Sequence, residues 1–115
     1  MAEIAYAEIE QQLAAAIERQ ADVAHKFYRI AKERGETELA YKVAFAKARL
    51  AAREDQSRKI TTDIAEDEAT VATEDERMAW VVAEATFDAA RQTLNSLRSQ
   101  IDGLRTILVS HRDST

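Results

Sequence analysis

Trp80, Phe87, Leu94, Ile101 and Leu108 recur every seven residues, and Ala83, Ala90, Leu97, Leu104 and His111 follow three residues behind them. Two such series, interleaved at steps of three and four, fall on one stripe of an α-helix, whereas a strand would scatter them over both faces. The pattern is that of a coiled-coil seam almost five heptads long. Little in the chain would interrupt it: 115 residues contain no proline, only two glycines and 23 alanines. Proline and glycine serve tight turns and sheet corners, so a chain this poor in both has few breaks and long helices between them. Sheet folds are excluded, and the length fits one domain, residues 1–115. With no cysteine and two histidines, neither a disulfide framework nor an ordinary zinc site is available.

A second seam runs through the first third, where Tyr6, Ile9, Leu13, Ala16, Gln20, Val23, Phe27 and Ile30 alternate at steps of three and four. Gln20 interrupts it as polar residues that set register commonly do. Leu39, Val43, Ala46 and Leu50 are also periodic but in a different register, with Gly35 and Thr37 in the gap. Either the helix ends near Gly35 and restarts with Thr37 as N-cap, or one long helix bends there; the spacing favours a bend or short break. The first arm then covers about 3–54, and a turn over 55–62 follows, since residues 54–59 hold no apolar side chain. Thr61, Thr62 and Asp63 are N-cap candidates for a short helix over Asp63–Ala72 with Ile64 and Val71 as its inward contacts. Thr73 and Glu76 have capping-box spacing, and the second long arm runs on to about residue 112.

A helix over residues 74–112 would be roughly 58 Å long, against a radius of gyration of about 13 Å for a compact globule of this size. The expected fold is therefore all-α: a rod-like, coiled-coil-like helical hairpin. A hairpin buries one stripe per helix and leaves Ile17, Tyr28, Phe45, Val81 and Ile107 on its flanks. Two or more copies are expected to pack into an oligomeric helix bundle, with Ala14, Ala15, Ala48, Ala52, Ala85 and Ala89 allowing close approach.

The net charge is −5, which offers no global attraction to nucleic acid or anionic lipid. The charge is unevenly spread: Asp63, Glu66, Asp67, Glu68, Glu74, Asp75, Glu76, Glu84 and Asp88 stand against Arg77 alone between residues 60 and 88. Acids near helix N-termini are favoured by the helix dipole, so a solvated face is the simple reading and a mimic of a nucleic-acid backbone the sharper one. The N-terminal stretch lacks the features of a secretion signal, and no stretch is apolar enough to span a membrane. A cytoplasmic location in a bacterial cell and no membrane partner are expected.

Arg91, Arg98, Arg105 and Arg112 stand seven apart, one position beyond the inner seam. Such a file, widened by Lys42, Lys47, Arg49 and Arg53 of the first arm, could face phosphates or an acidic partner. The simpler reading is that the arginines pair with glutamates of the neighbouring helix while their methylenes cover the seam, whose core is Trp80, Phe87, Leu94, Leu97, Ile101, Leu104 and Leu108. Asp22-Val-Ala-His25 is the sole approach to a Glu-x-x-His metal motif, and it occurs once. No serine lies in a glycine elbow, no phosphate loop is present, and two histidines do not make a triad. Neither catalytic residues nor cofactors are expected, and Tyr41, Phe45, Trp80 and Phe87 read as core aromatics more readily than as base-stacking ones.

The Tyr-Lys-Val-Ala-x-Ala-Lys-Ala core (Tyr41 to Ala48), the acidic turn Thr73, Asp75, Glu76, and the terminal Leu-Arg-x-x-Ile-Asp-x-Leu-Arg run (Leu97 to Arg105) resemble a group of small helical phage and prophage proteins of Gram-positive hosts, actinobacterial ones included. The resemblance covers about the last two-thirds of the chain, and the Gly35–Thr37 stretch departs from it. It implies a setting in phage replication and recombination, with any shared function at Lys42, Lys47, Arg98, Arg105 and Arg112. The expected role is a non-enzymatic interaction protein, accessory to phage DNA metabolism or modulating a host protein. A direct DNA- or RNA-binding protein using the arginine ridge and a structural virion or assembly component are the alternatives.

Overall fold

The computed structural model describes residues 2–55 and 60–113, with side chains from Tyr6 onward. Among them there are three helices and no strand: α1 (Ala2–Glu54), α2 (Thr62–Ala72) and α3 (Glu74–Asp113). The all-α fold is as the heptads require. Half of the turn expected over 55–62, residues 56–59, lies outside the described residues; Asp55, Ile60 and Thr61 are non-helical and Thr62 already belongs to α2. By their internal contacts the residues divide into two units, one of 1–29 with 88–115 and one of 30–87.

In the first unit α1 and α3 run antiparallel: Tyr6 meets His111 with ring centroids 5.2 Å apart and planes tilted by 31°, while the later Ala16 meets the earlier Ile101 and Leu104. Ala16, Ile101 and Leu104 form the buried cluster, with Ile9 and Leu13 packed against it. Leu97 is also withdrawn, at 3% exposure. Fully hiding each of these large aliphatic side chains contributes about 1.5–3 kcal/mol, and the seam residues Leu94 and Leu108 are half-buried beside them.

In the second unit the inward face is built differently. Its fully withdrawn residues are Ala65, Ala69, Ala83 and Thr73, so α2 approaches through small side chains and the bulk is supplied by half-buried aromatics. Tyr41 stacks on Trp80 with centroids 5.4 Å apart and planes 23° apart, and Phe45 meets Tyr41 edge-on. Thr61 caps α2 by accepting the Ile64 N–H at 3.3 Å. Thr73 joins α2 to α3: its N–H bonds Ala69 O, its carbonyl accepts from Arg77 N–H, and its hydroxyl donates to Ala69 O at 2.7 Å. Thr73 thus ends α2 and begins α3 at a non-helical residue, with its hydroxyl directed back to α2 instead of forward to the Glu76 amide of a capping box.

Three expectations are corrected here. The helix does not break at Gly35: α1 is continuous from Ala2 to Glu54, and Thr37 is no N-cap, since its hydroxyl donates to Glu33 O and Arg34 O within the helix. A helix without a break keeps its register, so the residues drawn from solvent after Ile30 are Arg34, Thr37, Tyr41, Ala44 and Ala48. Leu39, Val43, Ala46 and Leu50 consequently lie on the opposite, exposed side of α1, Leu39 at 64%. Ile64 and Val71 are likewise exposed, Val71 at 76%, because Ala65 and Ala69 take the inward positions of α2.

Candidate functional site

Within the first unit, α3 presents the arginine file on an exposed face. Arg91 approaches Asp88 one turn earlier on its own helix at 3.4 Å, and Arg112 approaches Asp113 at 3.7 Å. Arg98 and Arg105 make no ion pair with any described residue. The expected cross-helix arginine–glutamate pairing is therefore absent at these two positions among the described residues. Arg105 and Arg112 border a groove with Tyr6, Leu108 and Val109. A second groove of about 410 Å³ is lined by Arg19, Gln92, Thr93, Ser96 and Gln100, a set of hydrogen-bonding groups without a nucleophile–base pair.

Within the second unit, the basic residues of α1 have local partners in part. The Lys42 ammonium donates to Glu38 Oε1 at 2.8 Å. That hydrogen bond and the lysine charge hold the Glu38 carboxyl below the ordinary carboxylate range, with Arg34 adding in the same direction. Arg49 approaches Glu66 of α2 at 3.9 Å, whereas Lys47 and Arg53 are exposed. The two basic sets belong to different units, the file in the first and the 42–53 segment in the second.

The seam residues Trp80 and Phe87 of the second unit and Leu94, Leu97, Ile101, Leu104 and Leu108 of the first are all buried or half-buried, as their spacing predicts. Arg34 was not legible as one of their partners. It occupies an inward position of α1, with its guanidinium carbon 4.3 Å from the centroid of Phe87 and its Nη2 3.9 Å from Glu84. A cation on an aromatic face fills a heptad position that a search for apolar residues passes over. Three donors in this unit, Arg34 Nε, Arg49 Nε and Trp80 Nε1, are buried without a hydrogen-bond partner. His25 is exposed, and among the described residues no three His, Cys, Asp or Glu side chains are grouped as a metal site would need. No described helix is long and apolar enough to cross a membrane.

The most unusual feature of the surface is its large apolar side chains. In the second unit Leu39, Val43 and Leu50 stand outward on α1, and Ile64, Val71, Met78 and Val82 on α2 and α3. Single exposed aliphatics are ordinary on a protein surface, but aligned runs of them mark contact faces. The chain matches no known protein family, no curated protein and no solved structure.

Proposed function

We propose that this chain is a non-enzymatic helical interaction protein that associates with itself and works through protein contacts. The observation that carries the reading is the pair of outward apolar runs on the second unit, set beside an inward face whose fully withdrawn residues are alanines and a threonine. A two-layer helical unit of this kind hides little of its apolar surface alone, and further helices packed on it would hide the rest. The setting that accompanies the proposal is accessory action in phage DNA replication or recombination, or modulation of a host protein, in the cytoplasm of a bacterial host; it rests on the phage-protein resemblance. A self-associating virion or assembly component would use the same faces.

Light-scattering mass measured over a dilution series tests the reading. A mass that rises above one chain with concentration is expected. One-chain mass throughout removes self-association from it.

A second reading, direct nucleic-acid binding, is favoured by one specific observation: Arg98 and Arg105 are exposed with no ion-pair partner among the described residues. Anisotropy of labelled DNA at about 50 and 200 mM salt separates the two readings, because phosphate contacts lose orders of magnitude in affinity across that interval. The interaction-protein reading expects no binding at either concentration.

A further inference from the structure

The two outward apolar runs of the second unit differ in their surroundings. On α1, Leu39, Val43, Ala46 and Leu50 follow one another at steps of four, three and four, and the intervening turns place Lys42 on one edge of the stripe and Lys47 on the other. Residues 38–54 contain Lys42, Lys47, Arg49 and Arg53 against Glu38, which accepts a hydrogen bond from Lys42, and Glu54. On α2, Ile64 and Val71 are seven apart and exposed, and Met78 is exposed early on α3, beyond the turn at Thr73. Asp67 stands beside them on α2, and Glu74 and Asp75 open α3, all three exposed. Residues 61–76 contain seven acids and no base. At about 1.5 Å per residue the α1 stripe is roughly 16 Å long, and the two faces match in apolar character and in opposite charge.

We infer that the lysine-edged stripe of α1 in one copy packs on the acid-edged stripe of α2–α3 in a second copy of this chain. This rests on the self-association reading above and specifies its faces. The pairing of unlike stripes follows from charge: α1 against α1 would set Lys47 and Arg53 beside their own kind, and α2–α3 against itself would do the same with Asp67, Glu74 and Asp75. Like charges brought together at an interface penalise that arrangement, whereas opposite edges steer and register the other. Interfaces of standard size hide about 800 Å² per partner, more than three or four side chains supply, so the contact engages the whole outward side of each helix. Each stripe faces away from the helix that packs against its own within the unit. One contact therefore leaves a free stripe of each kind on the pair, and such a heterologous interface propagates into a ring or an open chain.

The test uses two double variants at exposed positions, where folding is not at stake: Leu39→Glu with Leu50→Glu, and Val71→Lys with Met78→Lys. Circular dichroism should show wild-type helicity for both. Each variant alone keeps one intact stripe and has nothing to pair it with, so each should stay at one-chain mass by light scattering. Their equimolar mixture should form a 1:1 pair of twice that mass and stop there, while the wild type grows beyond a pair. A mixture that stays at one-chain mass, or either variant assembling alone as the wild type does, overturns the inference. Wild-type association with the wrong mixing pattern leaves self-association standing and refutes these faces; a wild type of one-chain mass refutes both.

Discussion

The guanidinium carbon of Arg34 lies 4.3 Å from the centroid of the Phe87 ring, with Glu84 at 3.9 Å from its Nη2. Arg34 thereby serves as an inward residue of α1, carrying the heptad past the point where apolar residues lapse. Arg34→Ala removes both contacts and the methylenes that cover the seam. It should lower stability by about 1 kcal/mol, measured by urea denaturation. Arg34→Met, which keeps the length and leaves no buried Nε unpaired, should recover most of that loss.

Gly35 and Gly103 both sit in helix interiors, and a methyl added at either would meet no described atom within 4 Å. Gly35→Ala and Gly103→Ala should each stabilise the protein by about 0.5–1 kcal/mol, because glycine loses more conformational freedom than alanine on entering a helix. A rise in thermal midpoint for both is expected. A fall for Gly35→Ala would mean that the backbone there departs from the helix.

How much of this was readable beforehand depends on the residue types at the inward positions. The α3 seam was legible from Trp80 to His111 because large apolar side chains mark most of it. From Arg34 to Ala48 the inward positions are an arginine, a threonine, a tyrosine and alanines, while the outward ones include Leu39, Val43 and Leu50. Periodicity read from apolar residues alone therefore selected the outer stripe and made Gly35 look like a break. On α2 the same inversion occurred: Ala65 and Ala69 permit the close approach, and the larger Ile64 and Val71 face solvent. The arginine file was visible in the spacing, but the lack of partners for Arg98 and Arg105 depended on which α1 residues lie beside them, and spacing on one helix does not report that.

Leu97 is almost fully buried in the first unit. Leu97→Ala should cost about 2–5 kcal/mol through lost burial and the space left behind. Leu97→Asp should prevent folding of that unit, since an isolated charge in the seam has no partner. Far-ultraviolet circular dichroism checks both, and a soluble Leu97→Asp protein of unchanged helicity would contradict the seam.

Replacing Arg98 and Arg105 together by glutamine should change stability by less than about 0.5 kcal/mol, as is usual for exposed residues with no specific contact. Thermal denaturation distinguishes this from the cross-helix salt-bridge arrangement, in which the pair of substitutions would produce a measurable drop.

The Glu38 carboxyl is held below its ordinary range chiefly by the Lys42 hydrogen bond and charge. A group whose pKa is lower in the folded state stabilises the fold above its unfolded pKa, and that contribution is lost as pH falls through the folded value. Carboxyl-carbon magnetic resonance should therefore show Glu38 titrating below a free glutamate. Lys42→Gln should move its midpoint upward towards the free value.

Hydroxyl-radical footprinting of the wild-type chain over a concentration series tests most directly whether the outward stripes are contact faces. Leu39, Val43, Leu50, Val71 and Met78 are exposed and Leu97 and Ile101 are buried. The first five should react at low concentration and become protected as concentration rises, while Leu97 and Ile101 stay protected throughout. Undiminished reaction at all five residues at high concentration would contradict the account.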